Sequence, residues 1–127
     1  MRRKILMAKP RPKVKTRPYF RDLRDFIDLL EETGNLYRIT ERIDKNSELM
    51  PLVRWQYQGL PDGQRKAFLF ENVTDPQGRN YDCRVAVGAL SASREIYKMA
   101  LGVADDDNAG AVAERWNLAL SRPIPPR

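Results

Sequence analysis

The chain has 127 residues, and its 23 Lys and Arg residues outnumber its 17 Asp and Glu residues, which gives a formal net charge of +6. It contains no His and one Cys, which excludes an intrachain disulfide, a Cys/His zinc site and a Ser-His-Asp or Cys-His catalytic pair within this chain. No apolar stretch approaches the roughly 18 residues needed to cross a bilayer, and the N-terminus lacks the apolar run of a signal peptide. We therefore expect a cytoplasmic protein of about one domain.

The positive charge is concentrated in residues 1–18, which hold eight Lys and Arg residues and no acidic residue. Residues 19–127 consequently carry a net charge of −2. Because the first segment contains three prolines and no periodicity, it predicts an extended, flexible basic arm. We expect three parts: the arm at 1–18, a folded body at 19–121 and a proline-rich C-terminal end at 122–127.

The first half of the body predicts a helix, a strand and a second helix. Leu23, Phe26, Ile27 and Leu30 follow helical spacing, and the Thr33-Gly34-Asn35 sequence predicts the end of this helix near Thr33. Residues 36–43 alternate as a half-buried strand. Residues 44–47 offer N-caps for a second helix from 48 to about 58.

The second half predicts a hairpin followed by two helices. Residues 66–73 form a short apolar run typical of a strand buried on both faces. The turn sequence Asp75-Pro76-Gln77-Gly78 joins it to a second strand at 82–90. Helices are predicted at 94–101 and 109–120. This order indicates an α+β fold, with a small mixed sheet of about three to four strands flanked by about four helices.

Three polar segments are candidate binding sites, but each has a simpler structural interpretation. The triplet Asp105-Asp106-Asp107 is better suited to capping a helix than to holding a cation, because adjacent side chains point in different directions. Asp22, Asp25 and Asp28 indicate a solvated, partly paired helix face. Residues 88–93 lie between a strand and a helix, where amides can hold phosphate, but they lack the repeated glycines and the Lys of a P-loop. A structural turn is favoured there.

Three further residues are candidates for reactivity or binding. Cys83 lies within the predicted second hairpin strand, so we expect a small buried apolar side chain rather than a reactive thiolate. Trp55 and Trp116 occupy apolar helix faces and are expected to anchor a core or an interface rather than a cofactor. No pair of acids has the spacing and apolar surroundings that would separate two pKa values, which argues against an independent enzyme working through carboxylates.

Three blocks of the body resemble the N-terminal domain of the UbiD-like (3-polyprenyl-4-hydroxybenzoate) decarboxylase family. They are Asp22–Glu31 with Gly34–Ile39, then Phe68–Val73, and then Val87–Leu90 leading into Ser93–Glu95, Tyr97–Leu101 and Gly102. Together the blocks and the proline-rich end span about residues 20–125. The resemblance therefore covers almost everything except the basic arm.

The resemblance implies a reversible (de)carboxylase of aromatic or unsaturated acids that uses prenylated flavin mononucleotide with a divalent metal and potassium. In that family the flavin site, the metal ligands and the catalytic Arg and Glu residues lie downstream of the matched region. No catalytic, cofactor-binding or metal-binding residue is therefore carried over to this chain. The absence of His agrees with this, since one metal ligand of the family is a His.

Two functional hypotheses follow. The first is a non-catalytic small subunit that supports a larger, separate flavin-binding chain in a hetero-oligomer, with Trp55, Trp116 and the segment 123–126 covering an interface. A detached domain that no longer serves catalysis is the other way to explain the same resemblance. The second hypothesis is a binding module whose basic arm contacts nucleic acid or a protein, although the near-neutral body makes nucleic acid the weaker of these partners.

Overall fold

Four α-helices and three β-strands make up the described part of the chain, residues 19–103 and 109–126 of a computed structural model. In chain order they are α1 (Leu23–Glu32), β1 (Leu36–Asp44), α2 (Met50–Gly59), β2 (Ala67–Thr74), β3 (Val85–Val87), α3 (Arg94–Leu101) and α4 (Ala109–Ser121). A π-helical turn (Lys45–Leu49) leads into α2, and a 3-10 turn (Asp62–Gln64) follows it. The predicted α+β class and the predicted order of elements are confirmed.

The three strands form one mixed sheet in the order β1-β2-β3. β1 runs parallel to β2, from Leu36 opposite Ala67 to Asp44 opposite Thr74, with an irregularity between Ile39 and Arg42. At this bulge the Asn72 side-chain amide donates a hydrogen bond to the carbonyl of Thr40. β3 runs antiparallel to β2, so the central strand is paired on both edges.

The central strand β2 is buried on both faces, as its continuous apolar run predicts. On one face a core cluster joins β2 to α1 and α3 through Phe26, Leu29, Leu30, Ala67, Ala92, Ile96 and Met99. On the other face a second cluster joins the sheet to α2 through Ile43, Leu49, Val53, Phe68, Phe70 and Val73. The domain thus has helices on both sides of a three-stranded sheet, and β2 contributes Ala67 to one core and Phe68, Phe70 and Val73 to the other.

Local hydrogen bonds account for most element boundaries. Asp22 caps α1 by accepting from the Asp25 amide at 3.0 Å, and the helix ends before Gly34, whose φ is +72°. Ser93 caps α3 by accepting from the Ile96 amide at 3.2 Å, and Gly102 ends it with φ of +66°. The predicted turn at Asp75–Gly78 is closed by a hydrogen bond from the Gly78 amide to the Asp75 carbonyl at 2.9 Å.

The prediction for Cys83 was wrong, because the strand that contains it in the sequence pattern is much shorter in the structure. β3 comprises Val85–Val87, while residues 82–83 form a bend before it. Cys83 is consequently exposed rather than buried. The hairpin pairing itself is confirmed, with Phe68 opposite Val87 and Phe70 opposite Val85.

Two of the sequence-based expectations fall on residues outside the described ranges. These are the extended basic arm at 1–18 and the helix-capping role of Asp105–Asp107. Both stay predictions, as does the division of the chain into three parts.

Candidate functional site

An ion-pair network on the sheet surface connects α1, β1 and β2. Arg38 of β1 donates two hydrogen bonds to the Glu31 carboxylate, from Nε at 2.8 Å and from Nη2 at 2.6 Å. Its Nη1 donates to the Glu71 carboxylate of β2. The guanidinium therefore fixes the end of α1 to two neighbouring strands through a bidentate contact and one further bond.

This network shifts the proton affinity of its members in the direction expected for a salt bridge. The hydrogen bonds from Arg38 lower the pKa of Glu31, and the bonds to Glu31 and Glu71 raise the pKa of Arg38. Glu31 and Arg38 therefore stay charged at neutral pH. Sequence patterns did not predict the network, because Glu71 is 33 residues away from Arg38 and meets it only through strand pairing.

A polar cleft of about 790 Å³ lies beside this network, between the first turn of α1 and the bend before β3. Its lining includes three Arg and three Asp side chains over an apolar floor. The lining residues are Asp22, Leu23, Arg24, Ile27, Asp28, Arg38, Leu69, Asp82, Cys83, Arg84 and Ala86. The formal charges of these six Arg and Asp side chains sum to zero.

Asp22, which caps α1, and the α1 residues Asp25 and Asp28 form a solvated and partly paired face, as predicted. Asp22 and Asp28 are exposed, and Asp22 lies 3.8 Å from Arg24 while Asp25 lies 3.9 Å from Arg21. The hydrogen bond from the Asp25 amide lowers the pKa of Asp22. A lowered pKa keeps a carboxyl group ionised, which is the opposite of what a general acid requires.

The loop at residues 88–93 is a structural turn, as favoured from the sequence. The amides of Ser91 and Ala92 both donate to the Gly88 carbonyl, at 3.2 and 2.9 Å. Gly88 has φ of +72°, and a Cβ there would lie 3.0 Å from the Tyr57 hydroxyl and 3.1 Å from the Ala92 Cβ. The amides of Ser91 and Ala92 therefore already have partners within the turn and are not free to bind a phosphate.

Within the described residues, no group of three or more Asp, Glu or Cys side chains is placed to hold a metal ion. The expectation that the cofactor and its metals belong to another chain is not tested by this finding and stays a prediction.

An aromatic groove of about 430 Å³ lies against α2 on the sheet face opposite α1 and α3. It is lined by Tyr37, Ile39, Leu52, Trp55, Gln56, Gly59, Leu60 and Phe68. Trp55 is 75% exposed, so it does not belong to the core. Of the two roles predicted for Trp55, that of a core anchor is wrong.

Helix α4 presents a second apolar surface, on the side of the sheet where it contacts α3. Val112, Trp116 and Leu120 follow one another at intervals of four residues along one face of this helix, and Trp116 is 51% exposed and Leu120 is 67% exposed. Ile124, just beyond the helix, is 92% exposed. Trp116 is therefore a surface residue as well. Of its two predicted roles, that of a core anchor is wrong, and that of an interface anchor stays a prediction.

Among the described helices, none combines the length and the apolar character that spanning a membrane requires.

The fold and its surfaces define a class: a small α+β domain with a three-stranded mixed sheet, a complete core on each sheet face and an apolar last helix left exposed. The family model for the N-terminal domain of 3-octaprenyl-4-hydroxybenzoate carboxy-lyase, UbiD_N, matches residues 27–116. The chain therefore belongs to this family. The resemblance carried by the three sequence blocks is confirmed.

Solved structures of vanillic acid decarboxylase (ShVdcCD) from Sedimentibacter hydroxybenzoicus share the fold. An open form with truncated ShVdcD is 23% identical with a TM-score of 0.69, over 85% of this chain and 22% of that chain. The closed form is 23% identical with a TM-score of 0.67, over 85% of this chain and 21% of that chain. A further open form is 21% identical with a TM-score of 0.64, over 86% of this chain and 22% of that chain. The chain thus spans about a fifth of the length of the chains it matches.

Proposed function

We propose that this chain is the non-catalytic small subunit of a UbiD-like (de)carboxylase, in which it provides the N-terminal domain to a separate and larger flavin-binding chain. The observation that carries the proposal is the family match over residues 27–116, which identifies the domain as the N-terminal one of a carboxy-lyase. The matched solved chains are several times longer, so most of such an enzyme lies outside the part that this chain resembles. The chemistry is assigned to that remaining part.

The proposed reaction class is the reversible decarboxylation of aromatic or unsaturated acids. We assign prenylated flavin mononucleotide, the divalent metal and potassium to the larger chain, because the family's binding residues for them lie downstream of the matched region. The role of the small subunit is to stabilise the flavin-binding chain and to shape the entrance for the substrate.

Exposed apolar side chains support an assembly. Trp116, Leu120 and Ile124 are all more than half exposed, although large apolar side chains on soluble domains are normally covered when they lie together. A partner that covers them removes this unfavourable contact with water. The aromatic groove beside Trp55 is a separate apolar surface and is not needed for this argument.

The test is purification of the full-length chain, tagged at its own locus, from the cells that make it. We expect a larger chain to co-purify in a fixed ratio, with a flavin absorbance spectrum and with decarboxylase activity towards aromatic acids. If the chain is recovered without any flavin-containing protein at low and moderate salt, the proposal is wrong. The alternative of nucleic-acid or protein binding through the basic arm depends on residues 1–18, which lie outside the described residues, and it stays a prediction.

A further inference from the structure

Helix α4 has the composition of a buried helix but the position of a surface helix. The sequence of α4, AGAVAERWNLALS, places apolar residues around most of the helix surface. Helices that are apolar on all sides normally lie inside a protein. In the structure it leans on α3, where Arg115 Nε donates to the Leu101 carbonyl at 3.1 Å. Its residues from 113 onward are nevertheless exposed, including the three apolar side chains Trp116, Leu118 and Leu120.

The exposed side of α4 has the spacing of a docking helix. Val112, Trp116 and Leu120 follow one another at intervals of four residues, so they lie along one line over about 12 Å of helix. Helices that bind in a groove of a partner use anchors of this kind, and a central Trp is the residue type most often found to dominate binding energy. We infer that the α4 face formed by Val112, Trp116 and Leu120 is the surface through which this chain docks on the flavin-binding chain, an inference that rests on the proposed function.

The position of α4 in the domain order of the family indicates which partner covers its exposed face. The domain is the N-terminal one of the family, and α4 is the last helix of the described chain, extending past the end of the family match at residue 116. In the longer relatives the rest of the enzyme follows this point in the chain. Under the proposed function, the covering partner is therefore the corresponding part of the enzyme, which belongs to the flavin-binding chain. A second copy of this chain is the competing occupant.

The aromatic groove provides a matched control surface. Trp55 is more exposed than Trp116, at 75% against 51%, and it too lies on a helix. However, α2 belongs to the crossover between β1 and β2, on the opposite side of the sheet from α3 and α4. If exposure alone determined docking, a substitution at Trp55 should release more of the flavin-binding chain than one at Trp116. If the place of the helix in the family determines docking, the substitution at Trp116 should release it.

The experiment compares full-length tagged variants in the cells that make the protein, with the co-purified flavin-containing chain as the probe. Flavin absorbance per tagged chain is measured for the wild type, Trp116→Glu, Trp116→Phe, Leu120→Glu and Trp55→Glu. We expect at least a tenfold loss with Trp116→Glu and Leu120→Glu, and values near the wild type with Trp116→Phe and Trp55→Glu. Circular dichroism of each purified variant checks that the helices are intact.

Hydrogen exchange gives a measurement that needs no variant. In the wild-type assembly we expect slower exchange at amides 112–120 than in the free chain, with unchanged exchange at 52–59. If Trp55→Glu releases the flavin chain and Trp116→Glu does not, the docking surface is misassigned while the proposed function stands. If the wild type itself brings no flavin chain, the proposed function fails. If Trp116→Glu instead converts a dimer of this chain to a monomer in sedimentation, the occupant is a second copy and the inference is overturned.

Discussion

The body of the domain, taken here as residues 23–103, and the last helix α4 differ in where their helically spaced apolar side chains lie. In the body, Phe70, Leu30 and Ile96 are fully buried, and the two cores share the central strand. In α4, Trp116 and Leu120 lie at the surface although they follow the same helical spacing as the buried residues of α1. In α1 this spacing builds a core within the chain, whereas in α4 it leaves an apolar face exposed, which is the face that we propose contacts another chain.

This difference shows that the spacing of apolar residues identifies the apolar face of a helix but does not reveal what covers that face. Leu30 is buried because β2 and α3 lie opposite it, whereas α4 meets only part of α3 and extends beyond it. The stability of the free chain should therefore depend on the body and hardly at all on the exposed face of α4. Four substitutions and two control variants test this division.

The largest effect is expected in the body, from Phe70→Ala. The Phe70 ring is fully buried in the central strand and stacks on Phe68 with ring centroids 5.5 Å apart. Its removal leaves a cavity, and we expect the free energy of unfolding to fall by about 3–5 kcal/mol. Urea unfolding followed by circular dichroism measures this loss. A loss below about 1 kcal/mol would mean that this core relaxes around the gap.

An intermediate effect is expected at Gly88, and Gly34 provides its control. Both glycines have φ of +72°, but a Cβ at Gly34 meets nothing within 4 Å, whereas one at Gly88 crowds the buried Ala92. Gly34→Ala should cost about 1–2 kcal/mol for the backbone conformation alone. Gly88→Ala should cost roughly twice that, because it adds overpacking. Equal losses in urea unfolding would show that the loop at 88–93 adjusts freely.

Most helix ends and turns of the fold could be predicted from the sequence. The Ser93 cap, the stop at Gly102 and the turn at Asp75–Gly78 depend on residues within a few positions of each other, so local pattern predicts them. The shortness of β3 could not be predicted, since it depends on which residues of β2 lie opposite. Cys83 was placed in the core for that reason, and its exposure follows from the bend at 82–83.

The candidate surfaces were predicted less completely than the fold. The apolar face of α4 is visible in the spacing of Val112, Trp116 and Leu120, but its exposure depends on where α4 packs. The network of Arg38 with Glu31 and Glu71 depends on the parallel register of β1 and β2, which no local pattern encodes. The π-helical turn at Lys45–Leu49 was not predicted, because the sequence indicated N-caps at 44–47 and a helix that begins at 48.

A smaller effect in the body is expected from Glu31→Gln, and it depends on pH. Arg38 lowers the pKa of Glu31, so this contact stabilises the fold above the ordinary Glu pKa of about 4.3 and is lost as pH falls through the lowered value. The variant should be less stable than the wild type at pH 7, and the difference should shrink at pH 3. Urea midpoints at both pH values measure it.

Glu41→Gln is the control for this pH dependence, because Glu41 lies on an exposed part of β1. It should leave the wild-type acid response unchanged. If the difference between the wild type and Glu31→Gln is the same at pH 7 and pH 3, the carboxylate charge does not support the contact between α1 and the sheet.

The smallest effect on the free chain is expected from Trp116→Ala. Since the side chain is half exposed and Ala favours helix, the free energy of unfolding should change by no more than about 0.5 kcal/mol. Urea unfolding followed by circular dichroism gives the value. A loss above about 2 kcal/mol would show that α4 belongs to the core of the free chain, and the contrast between the two regions would disappear.

The parallel pairing of β1 with β2 also determines when this domain can fold during synthesis. Leu36 lies opposite Ala67, so β1 has no partner strand until the whole crossover and β2 have left the ribosome. Both cores require β2, which means that α1 and β1 emerge before anything can hold them in place. Emergence of residues 67–74 from the ribosome is therefore the step at which the core between the sheet and α2 can first form. The core that covers α1 also needs Ala92, Ile96 and Met99, so the apolar side of α1 stays open to chaperones until α3 has emerged.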